Sequence, residues 1–90
     1  MKIIILDGMF MLTVEEAHAY MARELGFPDY YGGNLDALWD ELSTIGEPLL
    51  VRLIDVQSIH ENLGEYGQTL IDTFLEAAQY SEQLVVDVIE

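Results

Sequence analysis

The run Leu49-Leu50-Val51-Arg52-Leu53-Ile54 carries five aliphatic side chains in six positions, with Arg52 the one interruption. It is short for a buried helix and too continuous for a strand with one wet side. The pattern predicts a strand covered on both faces, as in parallel sheets. Two further runs resemble it, Ile3–Leu6 near the start of the chain and Leu84–Ile89 near its end, the latter interrupted by Asp87. About 40 residues separate the first run from the second and about 30 the second from the third. Both intervals hold helical patterns, so each connection is a crossover and the three strands are expected to be parallel.

The first interval opens on a capping box. Thr13 and Glu16 are spaced so that hydroxyl and carboxylate each satisfy an orphan backbone donor. Val14, Ala17, Met21 and Leu25 then share one helical face, and Gly26 closes the helix. After the loop Phe27–Gly33, Asn34 is suited to cap a second helix. Its inward stripe is Leu35, Leu38, Leu42 and Ile45, with Gly46 and Pro48 as stops. In the second interval Val56, Ile59 and Leu63 mark a short third helix. A fourth is expected from about Gly67 to Tyr80, with Leu70, Ile71, Phe74 and Ala78 inward. The order is β-α-α-β-α-α-β: an α/β fold in one small domain, residues 1–90, whose three-stranded parallel sheet is packed by about four helices. These patterns leave the strand order open.

Composition narrows the function. Three Lys plus Arg stand against 17 Asp plus Glu, for a formal net charge of −14. Phosphate backbones are held by neutralising them with Lys and Arg, so direct nucleic-acid binding is excluded. Anionic lipid is disfavoured for the same reason. Hydrophobic residues at 51% rule out disorder. The chain has no cysteine, hence no disulfide, thiol nucleophile or Cys-based zinc site. Asp7 and Gly8 cut short the only N-terminal apolar run, so no signal peptide or membrane span is expected, and the setting is read as cytoplasmic.

The acids are placed unevenly. From Glu24 to Val51 there are six acids and no Lys or Arg. Asp36 and Asp40, four apart, share a helical face with Trp39 and Ser43 at its edge. Asp36 sits in the first turn, where the helix dipole favours an anion; Asp40 lies beyond that help. A mutually repelled pair of this kind costs about 0.2–0.5 kcal/mol. It is readily understood if the cations arrive on another molecule, although an acidic face also serves plain solubility. Just before this helix stands Tyr30-Tyr31-Gly32-Gly33. Tyr and Trp dominate interface energetics, and loops carry function; Tyr31 and Trp39 could equally pack onto the core.

The segment Phe27-Pro28-Asp29-Tyr30-Tyr31-Gly32-Gly33-Asn34-Leu35-Asp36-Ala37-Leu38-Trp39-Asp40-Glu41-Leu42 closely resembles the signature of the barstar family, intracellular inhibitors of secreted guanyl-preferring ribonucleases. The element order over all 90 residues is similar to that family as well. The resemblance implies a partner-binding surface made of Tyr30, Tyr31, Gly32, Asn34, Leu35, Asp36, Trp39 and Asp40, with Glu76 on the last helix reaching a basic residue of the enzyme. Asp40 matches the carboxylate that occupies a substrate-phosphate position, Asp36 a second one paired with arginine, and Tyr30 the ring that packs on the catalytic histidine. The implied partner is a basic, extracellular-type ribonuclease bound 1:1, with no cofactor and no metal. Where relatives carry a tryptophan after the acidic helix, this chain has Ile45-Gly46 and one residue fewer before Pro48. An aromatic contact at that edge is therefore lost or replaced.

Other chemistry fits less well. Asp36 and Asp40 would lie about 5–6 Å apart at Cβ, near the roughly 5–5.5 Å carboxyl spacing of retaining glycosidases. A pair on one exposed helical face offers a sugar no opposing wall, so no enzyme is expected and no residue is assigned as catalytic. His18 and His60 belong to no metal or catalytic motif; His18 is read as a packed or half-exposed residue and His60 as a surface one. The alternative reading is an acidic binding module or antitoxin of the same fold whose basic partner is not a ribonuclease.

Overall fold

The computed structural model, which describes residues 1–90, pairs the three apolar runs as parallel strands. β1 (Lys2–Asp7), β2 (Leu49–Ile54) and β3 (Leu84–Val88) lie in the sheet order β1-β2-β3. Register is set by Ile4 opposite Val51 and by Val51 opposite Val86. A short 3-10 turn (Gly8–Phe10), α1 (Val14–Leu25) and α2 (Leu35–Ser43) form the first crossover. The second consists of α3 (Val56–Leu63) and α4 (Glu65–Tyr80). The β-α-α-β-α-α-β order read from the sequence is the one observed.

One expectation is overturned: the sheet is covered on one face only. Ile4, Leu6, Val51, Leu53 and Leu84 point into the core, whereas Ile3 (57% exposed), Ile5 (50% exposed) and Val85 face water. Along β2 burial alternates strictly, with Leu50, Arg52 and Ile54 half-buried on the outer side. Strand order explains this. A sheet that advances in one direction, 1-2-3, places both right-handed crossovers on the same side; covering the other needs a reversal of order. In the middle of the outer face Arg52 pairs with its register neighbour Asp87 at 3.4 Å. The Arg52 Nε is buried without a hydrogen-bond partner.

The helices follow their local signals except that Val14, expected on the inner face of α1, is exposed, and that two boundaries move. Thr13 Oγ1 accepts from the Glu16 amide at 3.1 Å, which is one half of the expected capping box; the Glu16 carboxylate does not return a bond to the Thr13 amide, and Gly26 ends α1 in the left-handed region. α2 stops at Ser43, two residues before Ile45, because the Ser43 and Thr44 hydroxyls donate to the Asp40 carbonyl at 3.3 and 2.8 Å. Such back-bonding competes with continued helix. α4 begins at Glu65 rather than near Gly67. Gly67 lies inside the helix because α3 crosses close by: a Cβ there would meet the Ile59 carbonyl oxygen at 2.6 Å.

The core joins Leu6, Met21, Leu38, Leu42, Leu53, Ile59, Leu70 and Phe74, all fully or almost fully buried. α2 packs on α4 rather than lying flat on the sheet, and its Leu38 and Leu42 enter the core. Its opposite side is thereby left to solvent. No helix is long and apolar enough to cross a membrane.

Candidate protein-binding site

The loop before α2 is shaped by its own residues. The Tyr31 amide donates to the Pro28 carbonyl at 2.9 Å, closing a turn. Gly33 adopts φ +66°, a left-handed conformation that a side chain disfavours. Asn34 follows in extended conformation, and its Oδ1 accepts from the Ala37 amide at 2.8 Å. Loop and helix are thus joined by one residue whose side chain starts α2. Gly32 is exposed, and a Cβ there would sit 3.4 Å from Ala37 Cβ and Asn34 Nδ2.

The two tyrosines part company. Tyr30 is 84% exposed. Tyr31 turns inward, its ring 4.8 Å from Phe27 between centroids and its hydroxyl 2.6 Å from Nδ1 of His18. Burial pushes the Tyr31 hydroxyl above its ordinary range, with Tyr66 and the Glu41 carboxylate adding to the rise. Trp39 is half-buried and packs on Tyr80 of α4, while Leu35 is half-buried against the core. The sequence left Tyr31 and Trp39 open between core and surface; each uses one side for the fold.

Asp36 and Asp40 are exposed. The molecule's two ion pairs are Arg23–Glu24 and Arg52–Asp87, so neither aspartate has a cation of its own subunit. The Asp40 carboxylate makes no hydrogen bond within the subunit, while its backbone carbonyl accepts from the Ser43 and Thr44 hydroxyls. Neither aspartate lines either of the two open recesses on the surface, so no cleft encloses the carboxylate pair. Glu76 is exposed on α4, the helix against which α2 packs. Tyr30 on the loop, Asp36 and Asp40 on α2, and Glu76 on α4 all face water.

Sequence reasoning missed what stands behind the loop. His18 is buried, as a packed residue should be, but both its ring nitrogens meet tyrosine hydroxyls: Tyr31 on one side and Tyr66 on the other. Tyr66 was assigned no part. The available signal was chemical, since a buried imidazole needs a donor and an acceptor and tyrosines are suitable suppliers of both.

Parallel sheet, one-sided helical cover and a solvent-facing carboxylate helix beside an aromatic loop define a small acidic α/β protein. Residues 1–88 match the family model Barstar (barnase inhibitor). The chain belongs to the barstar family. It is similar to the Bacillus subtilis (strain 168) protein named "Putative ribonuclease inhibitor YrdF", with 38% identity over 80 residues covering 88% of each chain.

Proposed function

We propose that this chain inhibits a basic, extracellular-type microbial ribonuclease by inserting the Tyr30–Gly33 loop and α2 into its active site in a 1:1 complex. Family membership supports an inhibitory role without catalysis, and the name of the Bacillus subtilis relative points to a ribonuclease as target. The observation that carries the reading is Asp40: an exposed carboxylate in mid-helix with no cation in its own subunit, beside a second one at Asp36.

The physics is that of a decoy. A ribonuclease must hold phosphate with Lys, Arg and His, so its empty site is a preformed anion pocket. Two aspartates on a rigid helix present negative charge at fixed separation and offer no bond to cleave. Asp40 is costly to desolvate alone and favourable to bury only where several donors meet it. Tyr30 supplies an exposed ring for the imidazole side of such a site. Tyr31, Gly32, Asn34, Leu35 and Trp39 shape the surface around it, and Glu76 adds a contact from α4. The negative surface also speeds encounter with a basic enzyme. Residues 1–90 act here as one unit, in the cytoplasm, shielding the cell from its own nuclease.

A panel of microbial ribonucleases assayed with the purified protein tests this. Stoichiometric inhibition of a basic guanyl-specific enzyme is expected. Full activity of every enzyme in the panel, together with tight binding to a basic protein of another kind, would replace the proposal by the broader reading of an acidic binding module.

A further inference from the structure

His18 sits where three elements meet. It is 2% exposed on α1. Its Nδ1 lies 2.6 Å from the hydroxyl of Tyr31 in the loop, and its Nε2 lies 2.6 Å from the hydroxyl of Tyr66 in the first turn of α4. A neutral imidazole has one N–H and one bare nitrogen, so one tyrosine donates to the ring while the other accepts from it. Burial holds His18 below its ordinary value and raises both phenols, which keeps all three groups neutral. The chain of hydrogen bonds is consequently directional. Fixing its polarity at Tyr66 fixes it at Tyr31, 35 residues away in sequence.

We propose that His18 and Tyr66 are positioning residues for partner binding: the Tyr66–His18–Tyr31 relay locks the docking loop in its bound shape before a partner arrives. The inference rests on the reading of that loop as the docking element. Tyr31 is the inner anchor of the loop and Tyr30, its neighbour, the exposed probe. Anchoring the first limits the wandering of the second and of Gly32-Gly33. A loop already ordered avoids the ordering cost that otherwise subtracts from affinity. Two glycines in succession would make the free loop mobile without such an anchor.

Tyr66→Phe is the discriminating variant, since it keeps the half-buried ring and removes only the far hydroxyl. Amide hydrogen exchange and imidazole 15N shifts of the free, full-length protein read the relay directly. The parent should show one His18 tautomer. Tyr66→Phe should shift those resonances and speed exchange at Tyr31–Gly33 about fivefold or more, with α1 and α3 unchanged. Tyr31→Phe cuts the same chain from its other end, and the effects of the two substitutions should be non-additive in the double variant, since both act on one coupled unit. Unchanged exchange and unchanged His18 shifts in Tyr66→Phe would overturn the relay. Against a basic guanyl-specific ribonuclease, Tyr66→Phe should dissociate several-fold faster than the parent. Equal dissociation despite a loosened loop would overturn the positioning role. A parent that inhibits no ribonuclease defeats the functional reading, while the exchange data still decide whether the relay holds the loop.

Discussion

The Trp39 indole lies against the ring of Tyr80, centroids 5.2 Å apart and planes inclined by 54°. This contact ties the acidic helix to the last turn of α4 and commits one side of the chain's single tryptophan to the fold. Tyr80 is itself largely exposed, so the pair sits at the molecular edge. Tyr80→Ala is expected to cost about 1 kcal/mol, the order of an aromatic pair. Trp39 fluorescence should shift to longer wavelength as its ring gains water. Chemical denaturation followed by tryptophan emission reads both quantities in one titration.

Asp40 is the side chain on which affinity should depend most. Truncating one partner of a buried, hydrogen-bonded charge pair costs about 2–5 kcal/mol, a range to which the barnase–barstar complex itself contributed. Asp40→Ala should therefore weaken inhibition of the target ribonuclease by roughly 30-fold to several thousand-fold. The thermal midpoint should hold or rise slightly, because a repelled carboxylate leaves α2. Glu76→Ala, a contact nearer the rim, should cost less. Calorimetric titration of parent and variants tests the ranking, which a larger loss for Glu76→Ala would reverse.

Salt should act in opposite directions on the free protein and on its complex. With a net charge of −14 the folded chain repels itself, so its thermal midpoint should rise as ionic strength increases. Over the same range association with a basic partner should slow, since the Debye length shrinks to about 10 Å at 0.1 M. Scanning calorimetry and stopped-flow association measured in one buffer series check the pair of trends.

Stability should be bounded by the relay at both ends of the pH scale. Burial lowers His18 below 6.5 in the folded state, so the unfolded chain takes up the proton first. The contribution is complete above pH 6.5 and is lost as pH falls from there to the folded value. Burial raises Tyr31 and Tyr66 above 10, so their contribution is complete below that pH and is lost as pH climbs from there toward the folded values. The groups that face the relay include Glu41 near Tyr31, and Glu15, Arg23 and Asp29 around the adjoining recess. Tyr31→Phe should flatten the alkaline limb. Urea unfolding at a series of pH values, parent against variant, measures it.

The limits of sequence reading follow the range of the interaction involved. Thr13 and Asn34 were legible as caps because capping is settled within three residues. Parallel pairing was legible because crossover length constrains it. Which faces are covered was not, because that depends on strand order, and Ile3, Ile5 and Val85 carry no mark of it. Gly67 misled for a related reason: a glycine required by the backbone of α3 looks in sequence like a helix boundary. In the site, the exposure of Asp36 and Asp40 followed from their placement on one helical face away from Leu35, Leu38 and Leu42. The link from His18 to Tyr66 did not, since those residues lie 48 positions apart and meet only through tertiary packing.

The uncovered side of the sheet gives the experimenter a clean handle. The protein contains no cysteine, so a single one introduced at Ile3 or Val85 would carry the only thiol in the chain. A fluorophore or surface tether attached there would project from the bare sheet face, away from the layer of helices.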